Sequence, residues 1–331
     1  VTGADRPGEF ELIARVFAPL AGEGAFGLVD DAAVLTPPPG EDLVLTKDAV
    51  VAGVHFFPDD PWDAVAQKAL RVNLSDLAAK GARPLGYLLG LGLPDGWRTE
   101  DAEALGRGLA LDQDAYGLRL LGGDTVRSPE RLMLSVTVFG AVPAGRMARR
   151  GGATPRDVIV VTGTIGDAAL GLKLRLDAGL SGRLGLADAD RDHLLDRYLL
   201  PRPRSAVAGA VLAHAGGAMD VSDGLVGDLA KMAAASGVAI RLDASRVPLS
   251  DAARAAIAAD PALLRTALGG GDDYEIAVAL DEDDCDAFVD ACRDAGVAAT
   301  PIGRAEAGRG VTVVGTDGAV MDLGAGSYAH F

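Results

Sequence analysis

Carboxylates recur at one kind of address in this chain: the end of a short apolar run, or the turn just after it. Asp48 closes the run Asp42–Lys47, and Asp124 follows Leu118–Leu121 and a glycine pair. Asp220 and Asp223 flank Val221-Ser222, Asp272 and Asp273 precede the run Ile276–Leu280, and Asp30 and Asp31 sit together ahead of Ala32–Leu35. Strand ends and their loops are where sites assemble on scaffolds that combine strands with helices. Taken singly, each aspartate reads as a turn residue or a helix N-cap. As a set they exceed that need, since turns use Asn, Ser and Gly as freely. Convergent carboxylates raise one another's pKa values unless cations sit among them. Convergence therefore requires hard cations held through oxygen, with Mg²⁺ the usual one where phosphates are handled.

The helical stretch near Asp60-Pro61-Trp62, ending at Gly81, carries a second clue. Leu70, Leu74 and Leu77 make one buried stripe, while Asn73, Asp76 and Lys80 fall on another face. Alone, Asp76 and Lys80 read as a solvated ion pair worth about 0.3–0.5 kcal/mol; beside the other carboxylates, Asp76 becomes a candidate ligand. Around it, Gly8–Phe17 reads as a short helix, Phe26–Leu35 as a turn feeding a strand, and Asp42–Asp48 as a strand. Leu85–Leu93, Leu118–Leu121 and Leu132–Val142 read as further strands, with a helix over Thr99–Tyr116. The Gly- and Arg-rich break Pro143–Gly152 divides the chain into 1–143 and 151–331. The second part opens with strand Asp157–Val161 and the turn Gly163–Gly166. Helices are expected near 168–177, 188–199, 204–215, 225–236, 249–259 and 281–295, and strands at 239–242, 276–280 and 311–314. The class is α/β (α+β), with a mixed sheet in the first part.

With 331 residues and 49% hydrophobic content the chain has ample core, and its formal charge of −16 argues against a nucleic-acid partner. No apolar run reaches the ~18 residues of a membrane span, and the N-terminus lacks a signal-like segment. Cys285 and Cys292, seven apart in a helical pattern, are too distant for a disulfide, which fits a reducing cytoplasm. Gly163-Thr164-Ile165-Gly166 lacks dinucleotide-loop spacing, leaving a backbone phosphate contact or a tight turn; neither a Walker loop nor a G-x-S-x-G motif is present. His55, close to Asp48, is the histidine best placed for function, whereas His193 and His214 lie in helical patterns. Arg149 and Arg150 face phosphates or form a solvated basic turn.

Taken in order, several stretches resemble one family. They are Gly8-Glu9-Phe10-Glu11-Leu12-Ile13, Asp30-Asp31-Ala32-Ala33, Thr46-Lys47-Asp48 with Gly53-Val54-His55-Phe56, and Asn73–Ala79. Gly122-Gly123-Asp124-Thr125, Val161–Asp167, Asp220–Leu225, Gly270–Glu275 and the closing Gly326–Phe331 complete the set. The ordered set is similar to thiamine-monophosphate kinases, within the group that includes aminoimidazole ribonucleotide synthetase and selenophosphate synthetase.

The resemblance implies a two-domain fold of the aminoimidazole ribonucleotide synthetase type. Residues 1–143 form the ATP/Mg-binding domain that pairs in a homodimer, and 151–331 the domain that completes the active site. It implies phosphorylation of thiamine monophosphate to thiamine diphosphate by ATP, with several Mg²⁺ ions. Asp31, Thr46, Lys47, Asp48, Asp76, Asp124, Asp220 and Asp223 match metal-site positions, with Asp76, Asp48 and Asp223 the catalytic candidates. Gly123, Asp124, Arg150 and Ser222 match nucleotide contacts, and His55, Asp272 and Tyr328 match positions near thiamine phosphate. Three residues depart from the pattern: Val29 stands for a usual Gly, Lys47 for a small hydroxyl residue, and Asp272 for a common Glu. The alternatives are another ATP-using enzyme of the group, for which selenophosphate synthesis would want an N-terminal reactive Cys, or a non-catalytic nucleotide- and Mg-binding homologue.

Overall fold

The computed structural model describes residues 6–315 and 317–321, grouped in two units. The first comprises residues up to Leu77 together with Arg83–Gly145; the second comprises Ala78–Ala82 and the chain from Arg146 onward.

In the first unit a short helix, α1 (Glu9–Leu12), runs on as an irregular helical stretch, and β1 (Glu41–Val51) follows. Next come α2 (Trp62–Ala79), β2 (Arg83–Leu93), α3 (Thr99–Tyr116), β3 (Arg119–Arg127) and β4 (Met133–Pro143). Among the described residues these four strands form one mixed sheet in the order β1-β4-β2-β3, with β2 and β3 parallel. Burial alternates along the strands as a pleated sheet with one covered face requires. Leu134, Val136 and Val138 of β4 are buried, whereas the intervening Ser135 and Thr137 are not. The α2 stripe Leu70, Leu74 and Leu77 is fully buried, and Leu77 lies so close to Gly140 of β4 that a β-carbon there would clash. The leucine spacing therefore reports the covered face correctly.

Two local expectations differ. The stretch Asp30–Leu35 is irregular rather than a strand, because three left-handed residues, Phe26, Gly27 and Leu28, turn the chain just before it and, among the described residues, no strand pairs with it. Strand β3 runs past the glycine pair to Arg127, because pairing with β2 continues through Gly122 and Gly123.

The second unit contains β5 (Val158–Thr162), α4 (Asp167–Leu176), α5 (Leu180–Leu184), α6 (Asp188–Leu199), α7 (Ala208–His214), β6 (Gly217–Val221) and α8 (Leu225–Ser236). It continues with β7 (Ala239–Asp243), α9 (Asp251–Ala259), α10 (Leu263–Gly269), β8 (Glu275–Leu280), α11 (Cys285–Asp294), β9 (Ala299–Glu306) and β10 (Gly310–Val314). Among the described residues its six strands are ordered β10-β7-β9-β5-β8-β6. β5, β6 and β8 are buried at every position, as strands covered on both faces must be. Leu229 and Met232 of α8 belong to the core on one face, Val211 of α7 and Phe288 of α11 to that on the other. β9 was not apparent from sequence, because Pro301 and Gly303 interrupt any alternation; strands β5 and β7 supply its pairing. Cys285 and Cys292 are free and buried, and burial pushes the Cys292 thiol up to about 11. Among the described residues no helix is long and apolar enough to cross a membrane.

Candidate active site

In the first unit the candidate residues divide between the two faces of one sheet. Thr46 and Asp48 are two apart on β1 and share its covered face; Asn73 and Asp76 are three apart on α2 and share a helix face. The two pairs meet. The Thr46 hydroxyl donates to Asp76 Oδ2, and the Asp48 N–H donates to Asn73 Oδ1 at 3.1 Å. Asn73 is fully buried and is itself fixed by donating from Nδ2 to the Ala69 carbonyl, 3.0 Å away. Asp76 thus has a defined partner other than Lys80, whose ammonium donates to the Ala218 carbonyl at 2.8 Å within the second unit. His55 is half-buried and accepts the Val51 N–H on Nδ1 at 3.1 Å, so the neutral ring carries its proton on Nε2.

The opposite face lines a cavity of about 760 Å³ with the segment Glu9–Leu35, a size suited to a small-molecule ligand. Strand register puts Lys47, Thr137, Leu88 and Gly122 in one row, and Ala49, Ser135, Gly90 and Asp124 in the next. Asp124, Asp31 and Lys47 all line the cavity. Lys47 therefore does not join Thr46 and Asp48: adjacent strand residues point to opposite faces, and its ammonium donates to the Ser135 hydroxyl. That alternation was readable in the sequence. Gly123 is required for close approach of the strands, since a β-carbon there would lie 2.0 Å from the Leu89 carbonyl oxygen. Asp31 is exposed, and its N–H donates to Asp30 Oδ1 at 2.8 Å. The departure at Val29 carries no backbone penalty, because its φ of −105° is open to any residue.

In the second unit Asp220 is buried at the end of β6, and Ser222 and Asp223 form the turn into α8. Asp228, one turn into the helix, accepts the N–H groups of both Ser222 (2.9 Å) and Asp223 (2.8 Å) on Oδ2. Burial pushes its carboxyl up, against the lowering pull of Lys231. Lys231 bridges Asp228 and Asp223, donating to each. Neither residue was singled out from sequence, although an acid in the first turn of a helix is a recognisable capping signal. The glycine-rich turn that follows α10 packs on the same strand end. Asp272 N–H donates to the Ser222 carbonyl and Tyr274 N–H to the Val221 carbonyl, both at 2.8 Å. A β-carbon on Gly271 would lie 2.3 Å from the Ser222 carbonyl oxygen. In the Gly163–Gly166 turn the Gly166 N–H is taken by Asp273, so that amide is engaged within the protein. Arg150 is exposed, and Tyr328, with the rest of Gly326–Phe331, lies outside the described residues.

This pair of sheet-and-helix units, with carboxylates at the strand ends, defines the AIR synthase related class. The family model for the AIR synthase related protein, N-terminal domain, matches residues 29–142, and that for the C-terminal domain matches 154–316. The chain is 45% identical over 311 residues to the thiamine-monophosphate kinase of Caulobacter vibrioides, covering 92% of this chain and 86% of that protein. The crystal structure of thiamine-monophosphate kinase from Stenotrophomonas maltophilia K279a is similar at a TM-score of 0.80 and 41% identity, over 89% of this chain and 91% of that one. AaThiL complexed with AMPPCP and TMP is similar at a TM-score of 0.78 and 30% identity, over 93% and 97%. The chain belongs to the thiamine-monophosphate kinase family.

Proposed function

We propose that this chain transfers the γ-phosphoryl group of ATP to the phosphate of thiamine monophosphate, giving ADP and thiamine diphosphate. The observation that carries this reading is its near full-length likeness to a family member solved with AMPPCP and TMP together. A new bond forms between an acceptor phosphate oxygen and the γ-phosphorus, and the bond from that phosphorus to the β-phosphate bridging oxygen breaks. The acceptor oxygen is already anionic at neutral pH, so no strong general base is required; positioning and charge neutralisation are.

The donor set fits Mg²⁺. The candidates are hydroxyl and carboxylate oxygens, and Mg²⁺ is characteristically held by one or two carboxylates, with water and substrate phosphates completing its shell. Asp31, Thr46, Asp48, Asp76, Asp124, Asp220 and Asp223 would hold the ions; Lys47, a donor without a lone pair, serves instead as a fixed positive charge in the cavity. When bound, Mg²⁺ offsets the repulsion between the two phosphate groups. Thr46 fixes the orientation of the Asp76 carboxylate, Asn73 that of the Asp48 backbone, and Asp228 that of the Ser222–Asp223 turn. We assign nucleotide contacts to Gly123, Asp124, Arg150 and Ser222, and thiamine phosphate contacts to His55, Asp272 and Tyr328. Most of the ATP and Mg²⁺ contacts, and dimerisation, belong to residues 1–143, and residues 151–331 complete the site with Ser222, Asp272 and the carboxylates of the β6 end. Free cysteines and the use of ATP favour the cytoplasm.

The test is one incubation of purified protein with Mg²⁺-ATP and thiamine monophosphate, followed for thiamine diphosphate. Product formation is expected. ATP hydrolysis without it favours another reaction of the group, and nucleotide binding without turnover favours a binding protein.

We assign homodimerisation to the same unit. Leu45, Leu88 and Val126 lie on the same sheet face as the cavity, which the segment Glu9–Leu35 covers only in part, and are 59%, 38% and 47% exposed. A face of that kind is ordinarily covered, and a second copy closing on it would bury the three side chains. Leu88→Asp is expected to yield monomers by sedimentation velocity and to lower activity by about tenfold or more; an unchanged dimer would refute this face as the interface.

A further inference from the structure

The second unit holds three buried carboxylates, the buried Arg197 and the partly buried Arg204 in one network. Glu275 is fully buried and accepts from Arg204, from Arg197 at 3.1 Å and from the Thr162 hydroxyl at 2.8 Å. Asp167, also fully buried, accepts from Thr164 Oγ1 at 2.7 Å and from the Ser250 hydroxyl, and lies 3.1 Å from His193 Nε2. Asp273 is the third. It is fully buried and makes no side-chain ion pair among the described residues; both its oxygens accept the Gly166 N–H, at 2.9 and 2.8 Å. Burial pushes its carboxyl well above the usual range. Its own carbonyl accepts from Arg197 at 3.2 Å. On either side of it, Asp272 and Tyr274 hold left-handed backbones, with φ of 72° and 52°. Such conformations are unfavourable for residues other than glycine and persist only where surrounding contacts over-determine them.

We propose that Asp273 is a positioning residue: a clasp that joins the turn Gly163–Asp167 to the turn Gly269–Glu275, so that Asp272 and the end of β6 are presented as one rigid piece. The inference rests on the assignment of Asp272 and Ser222 to substrate contacts. Its geometric basis is separate from that assignment: one side chain spans two turns more than a hundred residues apart. The turn carrying Asp272 is then tied to Ser222 and Val221 by its backbone, to Arg197 through the Asp273 carbonyl, and to Gly166 by the Asp273 side chain.

The test combines hydrogen exchange with steady-state kinetics on the full chain. In Asp273→Ala both turns, 163–167 and 269–275, are expected to exchange about tenfold faster or more, while β5 and α8 keep their protection. KM for thiamine monophosphate and for ATP should both rise roughly tenfold, with kcat at saturation changed by less than about threefold. Asp273→Asn, which keeps one acceptor, should fall between wild type and Ala; if the Ala variant does not fold, the Asn variant alone reads the same two turns. Faster exchange in only one turn, unchanged exchange, or a fall in kcat at constant KM would overturn the clasp. If the wild type makes no thiamine diphosphate, the catalytic reading fails, and exchange in the two turns still decides whether the clasp exists.

Discussion

Asp76→Asn is expected to lower kcat by about 10³-fold, roughly 4 kcal/mol of transition-state stabilisation, while the protein stays folded. The two consequences separate because of how Asp76 is held. It stands on α2 between the buried Ser75 and Leu77, is itself half-buried, and receives the Thr46 hydroxyl. Asn matches its size and still accepts that hydroxyl, so the contact between α2 and β1 survives. What is lost is one unit of negative charge at the position assigned to a cation beside two phosphate groups, where charge neutralisation carries most of the catalysis. Thermal unfolding should move little, and product formation should nearly vanish. Near-normal turnover would remove Asp76 from the catalytic assignment.

The largest effect on stability is expected at Glu275. Replacing it with Ala strips the carboxylate shared by Arg197 and Arg204 and leaves Arg197, which is 2% exposed, as a buried charge without its main partner. Breaking a buried pair from one side costs about 3–5 kcal/mol, because the remaining ion stays desolvated. The cost is sharpened by Arg197 Nη1, which is buried with no hydrogen-bond partner even in the wild type. Differential scanning calorimetry should show the transition lowered by roughly 10 °C for a unit of this size. Glu275→Gln should be milder, since an amide oxygen still receives the guanidinium donors. A loss under about 1 kcal/mol for Ala would mean that the arginines find other partners or water.

Much of the fold was legible in the chain. Leu70, Leu74 and Leu77 reported the covered side of α2, the glycine-rich turns marked the strand ends, and the motifs came in the order of the family. The irregular Asp30–Leu35 run was misread because apolar residues alone do not make a strand; a neighbour with free backbone groups does. β9 was missed for the converse reason, since two neighbours form a strand from a segment containing Pro301 and Gly303. Lys47 entered the metal-site set through its place in the family motif, although the two-residue period of a strand already separates it from Thr46 and Asp48.

The sequence by itself determined the family, most of the strands and helices, and the buried stripe of α2, because those follow from short periods and from motifs only a few residues long. Only the tertiary structure decided that Thr46 meets Asp76, that Asp228 and Lys231 hold the Ser222–Asp223 turn, and that Asp273 and Glu275 are buried among distant partners. The first and the last of these depend on pairs 30 to more than 110 residues apart, whereas the Asp228–Lys231 clamp is local and needs only the turn into α8 to form. Whether a carboxylate is solvated, paired or clasped is set by the groups that folding brings against it, and the residues beside it in the chain do not carry that information.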